Sequence, residues 1–248
     1  MTDPFKNTLA NCRIVLCETR HAGNIGAAAR AMKTMGLSAL YLVAPENYPN
    51  VEATRRASRA IDVLDSAQRC ATLDEALAGV ALAVACTARP RDIAAPELDA
   101  RHAALRLAGV AAGQPVALVF GNETYGLTTP QVNLCQLIAT IPADADYASL
   151  NLAAAVQVLA YEFRQAVMGV ASGGKQPALA GHEALEGFYA HLETELTETG
   201  YLNPAQPKKL MQRMRRLFAR AQLEHEEVNI LRGVIRTLRQ PKIPPGGT

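Results

Sequence analysis

The chain has 248 residues, 49% hydrophobic and 19% charged, which excludes a disordered or low-complexity polypeptide and supplies enough apolar side chains for a substantial core. Its formal net charge of +2 is too small to define a nucleic-acid binder, but the balance is uneven: residues 1–170 carry 14 basic against 15 acidic side chains, and residues 171–248 carry 11 against 8. The polar start MTDPFKN is unlike a secretory leader, no stretch reaches the roughly 20 apolar residues of a membrane span, and five scattered cysteines without a CxxC pair predict reduced thiols in a cytoplasmic protein with no bound metal.

In chain order, RIVLCET (13–19) predicts a strand and GAAARAMKTMG (26–36) a helix stopping at Gly36. ALYLVAP (39–45) predicts a second strand, VEATRRASRAIDVLDSA (51–67) a helix, and ALAVACTA (81–88) a third strand. ELDARHAALRLAGVAA (97–112) is helical, PVALVFG (115–121) a strand, TTPQVNLC a short helix, and QLIATIP (136–142) a strand. A long helix is expected from Ser149, as its N-cap, to Val170. Short apolar strands alternating with helices predict an α/β fold: a doubly wound, mostly parallel sheet covered on both faces. ASGGKQPALAG (171–181) reads as a linker. Three helices follow, over 182–200, 203–222 and 224–238, giving a small all-helical C-terminal extension. The division expected is 1–170, 171–181 and 182–248.

Several chemistries lack their signatures. There is no GxxxxGK[ST], no GxGxxG after a strand and no GxSxG, which argues against a P-loop, a Rossmann cofactor site or a nucleophile elbow. Ligands of open α/β sheets lie beyond the carboxyl ends of the strands. RHAGNIG (20–26), CTARPR (86–91), GNETYGL (121–127) and IPADADYASLN (141–151) fall there. Their small residues and exposed main-chain N–H groups suit an adenine-type ligand held by backbone rather than by a phosphate loop.

Three of these stretches together resemble one family. NIGAAAR (24–30) has the pattern N-x-G-x-x-x-R, GNETYGL (121–127) has G-x-E-x-x-G-L, and YASLNLAAAVQVLAYE (147–162) supplies a third motif. Their order and spacing resemble the SPOUT superfamily of trefoil-knotted RNA methyltransferases. The tail RRLFARAQLEHEEVNILRGVIRTL (215–238) is similar to the helical extension of the TrmJ-type tRNA 2′-O-methyltransferases. The resemblance implies a C-terminal trefoil knot holding S-adenosylmethionine, a homodimer, and 2′-O-ribose methylation of tRNA in the anticodon loop, on cytidine or uridine at position 32. Asn122 departs from the pattern, standing where an arginine is expected.

The resemblance carries roles onto residues. Arg30 becomes the central catalytic residue, with Asn24 orienting it or the ribose, and Gly26 letting the RNA backbone approach. Arginine stays protonated, so Arg30 is expected to clamp a phosphate and stabilise developing alkoxide charge rather than act as a base. The cofactor site is expected from Cys86, Thr87, Ala88, Gly121, Ile141, Ser149, Leu150 and Asn151. Glu123 either caps a turn or holds the cofactor loop. RNA phosphates are expected on Arg89 and Arg91 and on the basic tail at Lys208, Lys209, Arg213, Arg215, Arg216 and Arg220, where 209, 213, 216 and 220 share a helix face. Glu224, Glu226 and Glu227 compete for Arg220. The sequence leaves open a catalytically silent RNA-binding module on the same fold, a ribosomal RNA substrate, and base-nitrogen methylation.

Overall fold

The structure is a computed structural model that describes residues 5–89, 95–170 and 178–239. Up to Val170 strands and helices alternate, with α1, β3 and α5 added to the elements the apolar runs predict: α1 (Lys6–Ala10), β1 (Cys12–Cys17), α2 (Ala22–Thr34), β2 (Ala39–Val43), α3 (Val51–Ala57), α4 (Ile61–Asp65), β3 (Gln68–Cys70), α5 (Leu73–Leu77), β4 (Leu82–Cys86), β5 (Glu97–Asp99), α6 (Ala100–Ala111), β6 (Val116–Phe120), α7 (Thr129–Asn133), β7 (Leu137–Thr140) and α8 (Leu152–Val170). The tail adds α9 (His182–Glu198), α10 (Leu210–Ala221) and α11 (His225–Arg239). The strands form one seven-stranded sheet in the order β3-β2-β1-β6-β4-β7-β5. Every pairing is parallel; Ile14 of β1, for example, lies opposite Leu40 of β2 and Leu118 of β6.

The strands are continuously apolar because both faces are covered. On one face Ile14, Leu16, Leu118 and Phe120 pack against Ile25 and Met32 of α2, Leu107 of α6, and Val156, Leu159 and Phe163 of α8. On the other, Val15, Cys17, Ala83, Ala85 and Val119 meet Leu73 and Leu77 of α5 and Val132 of α7. α2 closes at Gly36 as predicted. Gly36 takes a left-handed φ of +79° and Leu37 N–H donates to Met32 C=O, a Schellman end that favours glycine.

Five boundaries differ from the sequence reading, one being the start of α2 at Ala22 rather than residue 26. The helix expected over 51–67 breaks into α3 and α4 at a turn closed by Ala60 N–H donating to Ala57 C=O. The helix over 97–112 opens with the edge strand β5, and Asp99 caps α6 by accepting from His102 N–H at 2.8 Å. α8 starts at Leu152, with Asn151 rather than Ser149 as the capping side chain: its Oδ1 accepts from Ala153 N–H at 2.9 Å. The helix expected from residue 203 begins at Leu210, beyond Pro204 and Pro207, which cannot donate to a helical ladder.

The tail docks on its own chain. Leu179 and Gln114 exchange two hydrogen bonds, each 2.9 Å. His182 N–H donates to Val80 C=O at 2.8 Å, and Gly79 N–H to the Glu183 carboxylate at 2.8 Å. Gln114 precedes β6 and Val80 precedes β4, so the anchor lies at the amino ends of the strands. A satellite core of Leu185, Phe188, Tyr189, Leu223 and Val228 holds the three helices together. Arg215 is part of that packing: it makes a two-pronged pair with Glu186, at 2.5 and 2.6 Å, and stacks 4.3 Å from the Tyr189 ring centroid.

Candidate active site at the carboxyl ends of the strands

The loops leaving β1, β4, β6 and β7 converge at the opposite end of the sheet. Glu123, in the loop after β6, is their junction. One carboxylate oxygen accepts from Asn24 Nδ2 at 2.8 Å and His21 N–H at 3.2 Å, and the other from Arg20 N–H at 3.0 Å. Asn24 Oδ1 in turn accepts from Asn151 Nδ2 at 3.0 Å. A single chain of hydrogen bonds, Glu123 to Asn24 to Asn151 to the first turn of α8, therefore ties together all three sequence motifs. α2 has no capping side chain of its own. Glu123 takes the two N–H groups immediately before it and sets a negative charge against the positive end of the helix. Burial works to raise the Glu123 pKa, but hydrogen bonds from the Asn24 side chain and from the main chain of Arg20, Glu123 and His21 outweigh it and hold the carboxyl below its usual range.

The rest of GNETYGL builds the turn that carries Glu123. A Cβ on Gly121 would lie 2.1–2.2 Å from the backbone of Gly126 and Leu127, so only glycine lets the loop fold back there. Asn122 is buried, donates to Glu18 C=O at 3.2 Å, and accepts the N–H groups of Thr124 and Tyr125 at 2.7 and 3.0 Å. The residue that breaks the family pattern thus makes an Asx turn that sets the loop. The signal for it was the local Asn-x-Thr order; nothing local signals that Glu123 reaches Asn24.

Cys86, Thr87, Ala88, Gly121, Ile141, Ser149, Leu150 and Asn151 all lie on these convergent loops. Thr87 N–H donates to Ala139 C=O at 3.1 Å, and the Thr87 hydroxyl accepts from Arg89 N–H at 3.1 Å. Among the described residues, the main-chain N–H groups of Ala88, Ser149 and Leu150 have no hydrogen-bond partner, while Ile141 and Leu150 are half-buried. Unpaired main-chain donors beside two apolar side chains fit an adenosyl ligand held by backbone. Burial pushes the Cys86 thiol far up, which makes it an inert wall residue rather than a nucleophile. No group of three or more potential metal-ligating residues occurs among the described residues.

Arg30 lies on α2 six residues beyond Asn24, about 9 Å along the axis. It is exposed, and no described residue pairs with it. Gly26 does not face a ligand. A Cβ there would sit 2.0 Å from Ala53 C=O, so the backbone that approaches it is that of α3, not RNA. Arg89 spans two loops by donating to Thr124 C=O at 3.2 Å. Arg91 lies outside the described residues. On the tail, Lys208, Lys209, Arg213, Arg216 and Arg220 are exposed and unpaired among the described residues. Glu227 instead caps α11 by accepting from Glu224 N–H at 2.9 Å. Lys208 and Lys209 lie in the turn before α10 and the three arginines on α10, where Arg216 shares a cleft with Ala95, Asn133 and Gln136.

A parallel sheet with backbone-lined loops at its strand ends, and an arginine unpaired among the described residues on the helix after the first of them, fits a methyltransferase of the SpoU kind, and comparison with known proteins agrees. The chain belongs to the SpoU rRNA Methylase family, which it matches over residues 11–161, and residues 183–245 match the C-terminal domain of the tRNA methyltransferase TrmJ. It is 47% identical over 240 residues to the tRNA (cytidine/uridine-2′-O-)-methyltransferase TrmJ of Salmonella typhimurium, covering 94% of this chain and 98% of that one. The TrmJ of Klebsiella pneumoniae is 48% identical over 241 residues, with the same coverage. The crystal structure of TrmJ from Z. mobilis superposes with a TM-score of 0.81 at 35% identity, covering 92% of this chain and 99% of that one.

Proposed function

We propose that this chain transfers a methyl group from S-adenosylmethionine to the ribose 2′-oxygen of a cytidine or uridine in the tRNA anticodon loop, at position 32. The observation that carries the reading is the Glu123–Asn24–Asn151 chain of hydrogen bonds, which joins the cofactor loops to the helix bearing Arg30, unpaired among the described residues. S-adenosylmethionine, when bound, supplies an electrophilic methyl carbon. Cys86, Thr87, Ala88, Gly121, Ile141, Ser149 and Leu150 would hold it through main-chain groups and apolar contact. Asn24 has one N–H on Glu123 and its carbonyl on Asn151, so it is held in one orientation. The guanidinium of Arg30 pairs with a substrate phosphate and stabilises negative charge growing on the 2′-oxygen. The proton leaves to phosphate or water, because Arg30 is already protonated and the carboxylate of Glu123 is occupied by three N–H donors.

Residues 1–170 form the catalytic unit on this reading, and 182–248, joined through 171–181, an RNA-binding extension. Lys208, Lys209, Arg213 and Arg216 would track phosphates there, with Arg89 and Arg91 doing so nearer the site. A trefoil knot, a homodimer and a cytoplasmic setting complete the proposal. Tyr161 and Met168 of α8 and Leu105 of α6 are 45–47% exposed, an apolar surface suited to a second copy. The test is to map ribose methylation in tRNA incubated with the protein and S-adenosylmethionine. Methylation at position 32, lost when that ribose is 2′-deoxy, is expected. Methylation confined to ribosomal RNA, or none with the cofactor bound, would overturn it.

A further inference from the structure

We infer that the corner joining α3 to α4 is a second phosphate-binding surface for the RNA, built from Arg55, Arg56 and Arg59 and continuous with Arg30; this rests on the tRNA reading above. α2 lies along this corner. Gly23 of α2 faces the side chains of Glu52 and Arg56, the nearest atoms to its Cβ position at 3.4 and 3.6 Å. Ten residues on, Lys33 Nζ donates to Arg59 C=O at 2.9 Å and to Asp62 at 2.6 Å. Arg30 shares a helix face with Gly23, two turns away, and lies one turn before Lys33. Its place on α2 therefore falls between the stretch that meets Arg56 and the one that meets Arg59.

The charges there are not cancelled. Asp62 is taken by Lys33. Glu52 is shared by Arg55 at 2.7 Å and Arg56 at 3.0 Å, whose side chains are 71% and 62% exposed. Asp65 lies near Tyr48. Arg59 is exposed, with no side-chain partner among the described residues. One carboxylate thus faces three guanidinium groups, and Arg30 adds a fourth. The turn presenting Arg59 is also strained: Ser58 holds φ 55° and ψ −116°, a position in a tight turn that normally takes glycine.

A phosphate run laid across α2 would meet Arg56, Arg30 and Arg59 in succession, with one arginine exchanging its Glu52 partner for a phosphate. The test measures tRNA affinity across a salt series, together with cofactor affinity and thermal unfolding. Arg59→Gln should weaken tRNA binding several-fold and lower the slope of log K against log salt by about 0.7–0.9, the value for one lost phosphate contact. Arg59→Lys should retain the slope. The triple variant Arg55→Gln, Arg56→Gln, Arg59→Gln should lower it by about 2, with cofactor affinity and melting temperature unchanged. Glu52→Gln, which frees two arginines, should tighten binding. A wild-type enzyme that methylates tRNA beside a triple variant with an unchanged slope would overturn this surface alone. Failure of the wild type to bind tRNA at all would overturn it together with the function it rests on.

Discussion

On the proposed reading, Arg30 and Glu123 divide two jobs, one meeting charge and the other holding the site together. Arg30 is exposed, unpaired among the described residues and permanently charged, so it can meet charge that appears only during reaction. Arg30→Ala should therefore lower kcat by roughly 10²–10³, the loss typical of one removed charge-stabilising donor. Its affinity for S-adenosylhomocysteine, read by calorimetry, should stay at the wild-type value. Glu123 acts earlier, by holding the site together. Its carboxyl titrates below the ordinary value of 4.5 because the folded state donates three N–H groups to it. A depressed pKa contributes stability that is complete above the unfolded value and fades as pH falls through the folded one. The melting-temperature gap between wild type and Glu123→Gln should be widest near pH 7 and close as the pH falls below about 4. A gap of constant width down to that pH would mean that the carboxylate charge is not what holds Asn24.

At the scale of elements, the decisive contact is between α2 and α3. The Cβ position on Gly26 is 2.0 Å from a main-chain oxygen, and backbone cannot swing aside as a side chain can. Gly26→Ala should force the two helices apart at a cost of about 3 kcal/mol, lowering the melting temperature by roughly 6–12 °C. The displacement would also move Arg30 relative to the α3–α4 corner. The same contact shows where a linear reading stops. The glycine is visible in NIGAAAR, but its neighbour is not, and the approach expected from RNA comes from Ala53. The central strands were legible because they are apolar on both faces. β3 and β5 were not, being three residues long at the sheet edges. The start of α2 was hidden because the carboxylate beside it stands about a hundred residues away, in the loop after β6. The break between α3 and α4 was hidden because serine occupies the glycine-type position of the turn. The three motifs could be read singly; their union through Glu123 needed the fold.

Across the whole molecule, the anchor of the tail and the candidate site occupy opposite ends of the sheet. The central strands are five or six residues long, so at about 3.3 Å per residue the two ends are some 17–20 Å apart. On the proposed reading, phosphates that meet Lys208, Lys209, Arg213 and Arg216 belong to a different part of the RNA from the nucleotide that meets Arg30. Such contacts hold the substrate equally in its ground and transition states, so they act on KM rather than kcat. Reversing these four charges to glutamate should raise KM for full-length tRNA by ten-fold or more and flatten its salt dependence by about 3 in log–log slope. kcat at saturating tRNA and cofactor affinity should stay unchanged. A short anticodon stem-loop, lacking the distant phosphates, should be methylated equally by both proteins. Arg215 must be left out of that set, because its pair with Glu186 and its stacking on Tyr189 pack α10 against α9. Removing one partner of such a largely buried pair costs about 3 kcal/mol and would loosen the tail itself. Equal loss of activity on tRNA and on the stem-loop in the four-charge variant would place the tail at the reacting nucleotide and refute the separation of the two ends.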